Sequence, residues 1–217
     1  NSLADGTGTV ETALSLNNGQ VDTFNGNGGV LDGDSDGGEG LDIFNVGGVF
    51  QYLRGTADDF GELNVNSGVG TFGAGGEFGV TFQTLAFDIN GGTAVVGDLS
   101  VIEVANDFTV HDGGTLGFFL TTDDSTHGLV QVGGDAFLAG PLGTDSTTLL
   151  ALLDPSTFAS ATTNTYVYDD IITGTINNTF TEVTTSSLFW TADATYGAGD
   201  GDLEINRVDF GDVLNAL

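Results

Sequence analysis

The 217 residues carry 31 Asp and Glu against two Arg, Arg54 and Arg207, for a formal net charge of −29, and such a surface repels nucleic-acid phosphates and anionic lipid head groups. Hydrophobic residues are 39% and charged residues 15% of the chain, too apolar for a disordered acidic tail and enough for a substantial core. With no Cys there are no disulfides or thiolate metal sites, and no run of about 18 apolar residues could cross a membrane as a helix.

The 36 Gly and two Pro follow no Gly-X-Y period and fit many tight turns between short strands. The acidity has two readings, solubility of a β-rich chain or association with cations, and both suit a protein outside the cell. The opening Asn1-Ser2-Leu3 has no basic or apolar leader, so a signal has been removed or the chain is an excised fragment.

Residues 1 to about 45 are the least regular. Val10, Ala13, Leu14 and Leu16 read as a strand followed by an Asn17-Asn18-Gly19 turn, then Val21 to Phe24 and another turn at Asn25 to Gly29. A helix over Val10 to Leu16 would be short and uncapped.

Asp32 to Asn45 is the most acidic run. Asp32, Asp34 and Asp36 followed by Gly37 match the opening of a D-x-D-x-D-G calcium loop, where alternate carboxylates converge on one hard cation. The twelfth position is Ile43, where an EF-hand needs a bidentate Glu. Gly37 to Asn45 also matches, once, the calcium-binding nonapeptide G-G-x-G-x-D-x-U-x, which places Asp42 among the candidate ligands. Asp32, Asp34, Asp36 and Asp42 are therefore the candidate calcium ligands, against an ordinary acidic corner.

From Val46 to Asn90 strands are expected at Val49 to Leu53, Gly61 to Val65, Gly70 to Phe72, Phe78 to Phe82 and Leu85 to Ile89. Arg54, beside Asp58 and Asp59, is expected in a structural salt bridge. From Val95 to Leu142 strings of Val, Ile, Leu, Phe and Thr alternate with Gly, Asp and Asn turns. The paired glycines at Gly91-Gly92, Gly113-Gly114 and Gly133-Gly134 recur about every 20 residues, the spacing of one stacked unit on the next. Phe108, Val110, Leu116, Phe118, Leu120, Val130 and Val132 then face inward as an axial column, and the chain reads as the rungs of a β-solenoid.

From about Gly143 the glycine pairs stop and Thr rises. Leu149 to Leu153 form a short helix or a buried strand ended by Pro155. Longer antiparallel strands follow, with turns at Ile176 to Asn178 and at Gly197 to Gly201, as a cap over the open end of the solenoid. Phe189 and Trp190 are assigned to the cap's core, and Val208 to Leu217 have helical spacing at Val213, Leu214 and Leu217.

These segments carry a resemblance. VGDLSVIEVANDFTVHDGGTLGFFL and GLVQVGGDAFLAGPL are similar to the last rungs of bacterial autotransporter (type V secretion) passenger domains. NTYVYDDIITGTINNTFTEVTTSSLFWTADATYGAGDGDLEINR resembles their autochaperone cap, with its Tyr196-Gly197 pair and final Leu203-x-Ile205-x-Arg207 strand. The likeness covers about Gly91 to Arg207. It implies an all-β chain, a right-handed parallel β-helix with a C-terminal antiparallel β cap, divided into rungs over 1–142, the cap over 143–207 and the start of a linker over 208–217. It also implies export across the outer membrane to the cell surface or medium through the chain's own C-terminal β-barrel translocator, with the cap nucleating folding outside.

Catalytic constellations are poor. His127 follows Asp123, Asp124 and Ser125, triad-type letters too close in sequence for nucleophile, base and orienter to align. A lyase of acidic glycans wants cationic groups that this chain lacks, whereas carboxylate pairs for glycoside hydrolysis are left open. The expectation is a non-enzymatic passenger fragment: folding nucleus and stalk, with adhesion to a host or neighbouring cell or self-association. The alternatives are a calcium-dependent solenoid of the repeat-in-toxin kind and, less favoured, a glycan-acting β-helix enzyme.

Overall fold

The structure is a computed structural model and describes residues 12–16, 18–73, 79–197 and 199–208. Val10, Asn17, Phe78 and the expected helical spacing within 209–217 lie outside the described residues.

Alternation of apolar and polar side chains sets the local structure, because a pleated strand turns successive side chains to opposite faces. The first strands are β1 (Thr12–Ser15), β2 (Thr23–Leu31), β3 (Asp34–Asp36), β4 (Asp42–Tyr52) and β5 (Gly55–Val65). In β4, Asp42, Phe44 and Val46 are buried while Ile43 and Asn45 are half-buried; burial lapses over Gly47 to Val49 and resumes in the same phase with Phe50 and Tyr52 inside. Gly48 is required at that corner, since a Cβ would lie 2.1 Å from the Asn27 carbonyl oxygen.

The chain continues through β6 (Val69–Phe72), β7 (Val80–Ile89), β8 (Thr93–Val96), β9 (Val101–Val104), β10 (Phe108–Val110), β11 (Thr115–Leu120), β12 (Leu129–Phe137) and β13 (Thr148–Leu153). Asp154 then caps a single helical turn, α1 (Pro155–Phe158), by accepting from the Ser156 N–H, with Pro155 at the first helical position where its missing N–H costs nothing. The last strands are β14 (Thr165–Ile176), β15 (Glu182–Thr185), β16 (Trp190–Tyr196) and β17 (Asp200–Arg207). Among the described residues the protein is all-β apart from α1, with its 17 strands in one mixed sheet.

Most of the pairing is parallel and joins each strand to the one a repeat earlier. One series runs β2, β4, β6, β8, β11, β13, β15; another runs β1, β3, β5, β7, β9, β12, β14. In-register pairing stacks like positions into columns. Tyr52, Phe72, Val96, Phe118 and Ala151 form one; Ala57, Phe82, Ile102, Val130 and Ile172 form a second; Phe24, Phe44, Leu63, Phe87, Phe108 and Ala136 form a third. All but Phe24 are buried. Each buried Phe contributes about 2–3 kcal/mol by leaving water, and Phe87 stacks on Phe108 with ring centroids 4.9 Å apart.

The inward face expected for Phe108, Val110, Leu116, Phe118, Leu120, Val130 and Val132 is the observed one. Other expectations change. Gly91 and Gly113 sit in turns with positive φ, but Gly133-Gly134 lies inside β12, where the register shifts and a Cβ on Gly133 would meet the Ala105 carbonyl at 2.5 Å. Parallel pairing continues past residue 142 through β13, the end of β14 and β15. Asn177-Asn178 is no hairpin turn, because β15 pairs with β13.

Among the described residues, antiparallel pairing is confined to β14, β16 and β17. β14 pairs in parallel with β12 on one side and antiparallel with β17 on the other. It changes partner geometry at Asp170, whose φ is 58° and whose N–H is held by Asp202 Oδ1 at 2.8 Å.

Candidate functional site

The acidic run folds as a corner. Asp34 and Asp36 lie on β3 with Ser35 between them turned inward and buried. The D-x-D-x-D-G letters are thus mostly strand, and Gly37 answers a packing demand: a Cβ there would lie 2.4 Å from the Asp59 carbonyl oxygen of the next repeat.

The carboxylates of three of the four candidate ligands have partners of their own. Asp32 takes the guanidinium of Arg54, Nε to Oδ1 2.6 Å and Nη2 to Oδ2 3.4 Å, which is the salt bridge expected of that arginine. Asp34 Oδ1 accepts the Thr56 N–H at 2.9 Å. Asp36 is opposite Asp58 in the parallel register. Asp42 is fully buried; its Oδ1 accepts the Asp22 N–H at 2.5 Å, and its Oδ2 is buried with no hydrogen-bond partner among the described residues.

A calcium ion wants six to eight oxygens. Among the described residues no three acidic or His side chains gather in metal-binding geometry, and Asp32, Asp34, Asp36 and Asp42 are not drawn into one donor set. What the carboxylates do instead recurs along the molecule. Asp107 Oδ1 accepts the Asp135 N–H at 3.0 Å and Asp112 Oδ1 the Ser146 N–H at 3.0 Å, so acids cap backbone donors of neighbouring repeats.

Stacking carboxylates has an electrostatic consequence. Asp58 has its pKa raised, first by burial and then by the charges of Asp59, Asp34, Asp36 and Glu103. A second column, uncharged, also joins the repeats: Asn45 donates to Asn25 at 3.2 Å, Asn66 to Asn45 at 3.3 Å and Asn90 to Asn66 at 3.0 Å. Its signal was present in the sequence as Asn recurring at intervals of 20, 21 and 24 residues.

The triad-type letters do not assemble. Ser125 bonds directly to Asp123 Oδ1 at 2.5 Å, while His127 Nδ1 lies 3.0 Å from the Gly128 carbonyl oxygen. His111 sits between Asp88 at 3.1 Å and Asp145 at 3.9 Å.

At the C-terminal end Phe158, Tyr166 and Trp190 pack edge to face or tilted, with centroids 5.1 to 5.9 Å apart. Trp190 is buried as expected, but Phe189 is 55% exposed. Beside this cluster opens a cavity of about 610 Å³ lined by Leu153, Phe158, Ser187, Trp190, Arg207 and Val208 among others. No local pattern in the sequence marks it, because its walls come from three separate stretches. No family model, curated protein or solved structure matches this chain.

Proposed function

We propose that the chain is the C-terminal part of an exported autotransporter passenger, a right-handed parallel β-helix whose cap serves as folding nucleus and whose stacked repeats serve as a stalk for adhesion or self-association at a cell surface. The observation that carries this reading is the change at β14, where parallel columns running the length of the molecule meet the antiparallel β14, β17 and β16. An end sealed in this way protects the last stacked strand, and within it the β16 to β17 pairing is more local in sequence than any pairing between repeats, as an early-forming element would be. The Phe158, Tyr166 and Trp190 cluster then joins that hairpin to α1 and β14.

Expression behind a secretory signal and ahead of a β-barrel translocator tests it. The expected result is protease-accessible chain on the cell surface, lowered several-fold by Trp190→Asp in the cap and less by Phe50→Asp in β4. No display, or equal losses from both substitutions, rejects the reading.

Calcium-dependent folding is the competing reading, and one observation favours it: the buried, unpartnered Oδ2 of Asp42. Melting with calcium and with chelator separates the two. Equal midpoints leave the passenger reading standing, and an upward shift of several degrees with calcium supports the other.

A further inference from the structure

We infer that the cavity beside Trp190 is a binding site for an apolar carboxylate, a medium-chain acyl acid, held by Arg207 at its polar end. The lining is Leu153, Pro155, Phe158 and Trp190 with small residues between, and it contains no Asp or Glu. In a chain with 31 acidic residues this is a marked local exception; a second cavity of about 470 Å³, on the parallel face, carries Asp59 and Glu103. The volume of about 610 Å³ lies in the ordinary range for small-molecule pockets.

Arg207 is placed for an anion. Its Nη2 donates to the Ala161 carbonyl at 2.5 Å and its Cζ lies 4.9 Å from the Trp190 ring centroid, so the guanidinium plane is fixed from two sides. Among the described residues no carboxylate comes within 4.0 Å of it, whereas Arg54 grips Asp32. A guanidinium has five N–H donors and Ala161 takes one. A ligand carboxylate can use the rest, in a pocket whose lining sets no carboxylate against it. The apolar tail then lies against Phe158 and Leu153, with Ser186 and Ser187 also in the lining.

Trp190 is the only tryptophan, so its emission reports the site directly. The full chain is titrated with octanoate and, separately, with the neutral 1-octanol of matching length. The expected result is a saturable change in emission, with octanoate half-saturating at a concentration about fivefold or more below 1-octanol. Arg207→Gln weakens octanoate about tenfold and leaves 1-octanol unchanged, while Arg207→Lys keeps part of the preference. Far-UV circular dichroism checks that both variants are folded. The wild-type comparison of acid with alcohol needs no variant. An absence of saturation, equal binding of acid and alcohol, or an unchanged acid preference in Arg207→Gln overturns the proposal.

Discussion

Asn90 donates its side-chain amide to the side-chain oxygen of Asn66 over 3.0 Å across 24 residues of sequence. Asn66 in turn donates to Asn45 at 3.3 Å, so each inner Asn acts as donor on one side and acceptor on the other. Such a column locks the register of parallel strands, because a one-residue slip would break every link.

Asn66→Ala breaks two of these links and Asn25→Ala one. Both positions are exposed, so the expected losses are about 1 and 0.5 kcal/mol. Denaturant unfolding that ranks Asn25→Ala as the costlier change contradicts this account.

Gly37→Ala is expected to cost about 2 kcal/mol or more, because the new Cβ meets a backbone oxygen at 2.4 Å, that of Asp59. Gly37 has no positive φ, so the loss comes from collision alone. Thermal melting reads it; a midpoint within about 1 °C of the parent would show that the two repeats do not approach as described.

Asp58→Asn is expected to raise the melting temperature at pH 7 by about 1–2 °C. The carboxyl's pKa is raised by burial and by neighbouring acids. Its protonated form therefore favours the fold: that stability is complete below the ordinary carboxylate pKa of 3.8 and is lost as pH rises through the raised value. The amide stays neutral throughout, and the gain should vanish when both proteins are melted below pH 3.8.

Alkaline unfolding is expected between pH 10 and about 12. Burial above all pushes Tyr52 and Tyr196 from 10.0 to about 12 and raises Tyr168 as well. Their contribution is present below pH 10.0 and is lost as pH climbs through about 12, since ionisation then favours the unfolded chain. Tyr52→Phe removes part of this dependence and costs about 1–3 kcal/mol at neutral pH. The hydroxyl is 2.9 Å from the Gly33 carbonyl oxygen, 3.1 Å from that of Thr56 and 3.2 Å from Ser35 Oγ. Absorbance of tyrosinate against pH, with circular dichroism in parallel, checks both points.

The sequence by itself determined the strands and their faces. Alternation at Phe108, Val110, Leu116, Phe118 and Leu120 is a local signal, since a pleated chain has period two wherever it pairs. It also determined the need for glycine at crowded corners, though not the reason. Gly37 looked like the turn of a metal loop, and only the approach of Asp59 from the next repeat gives its role.

The tertiary structure decided which residues from distant repeats meet. Asp32, Asp34, Asp36 and Asp42 share 11 residues of sequence, yet Arg54, Thr56 and Asp22 draw three of them to separate partners. Leu153, Trp190 and Arg207 line one cavity from three parts of the chain. Spacing along a strand is fixed by backbone geometry, whereas contact between repeats depends on where each corner bends and on the register that stacking selects.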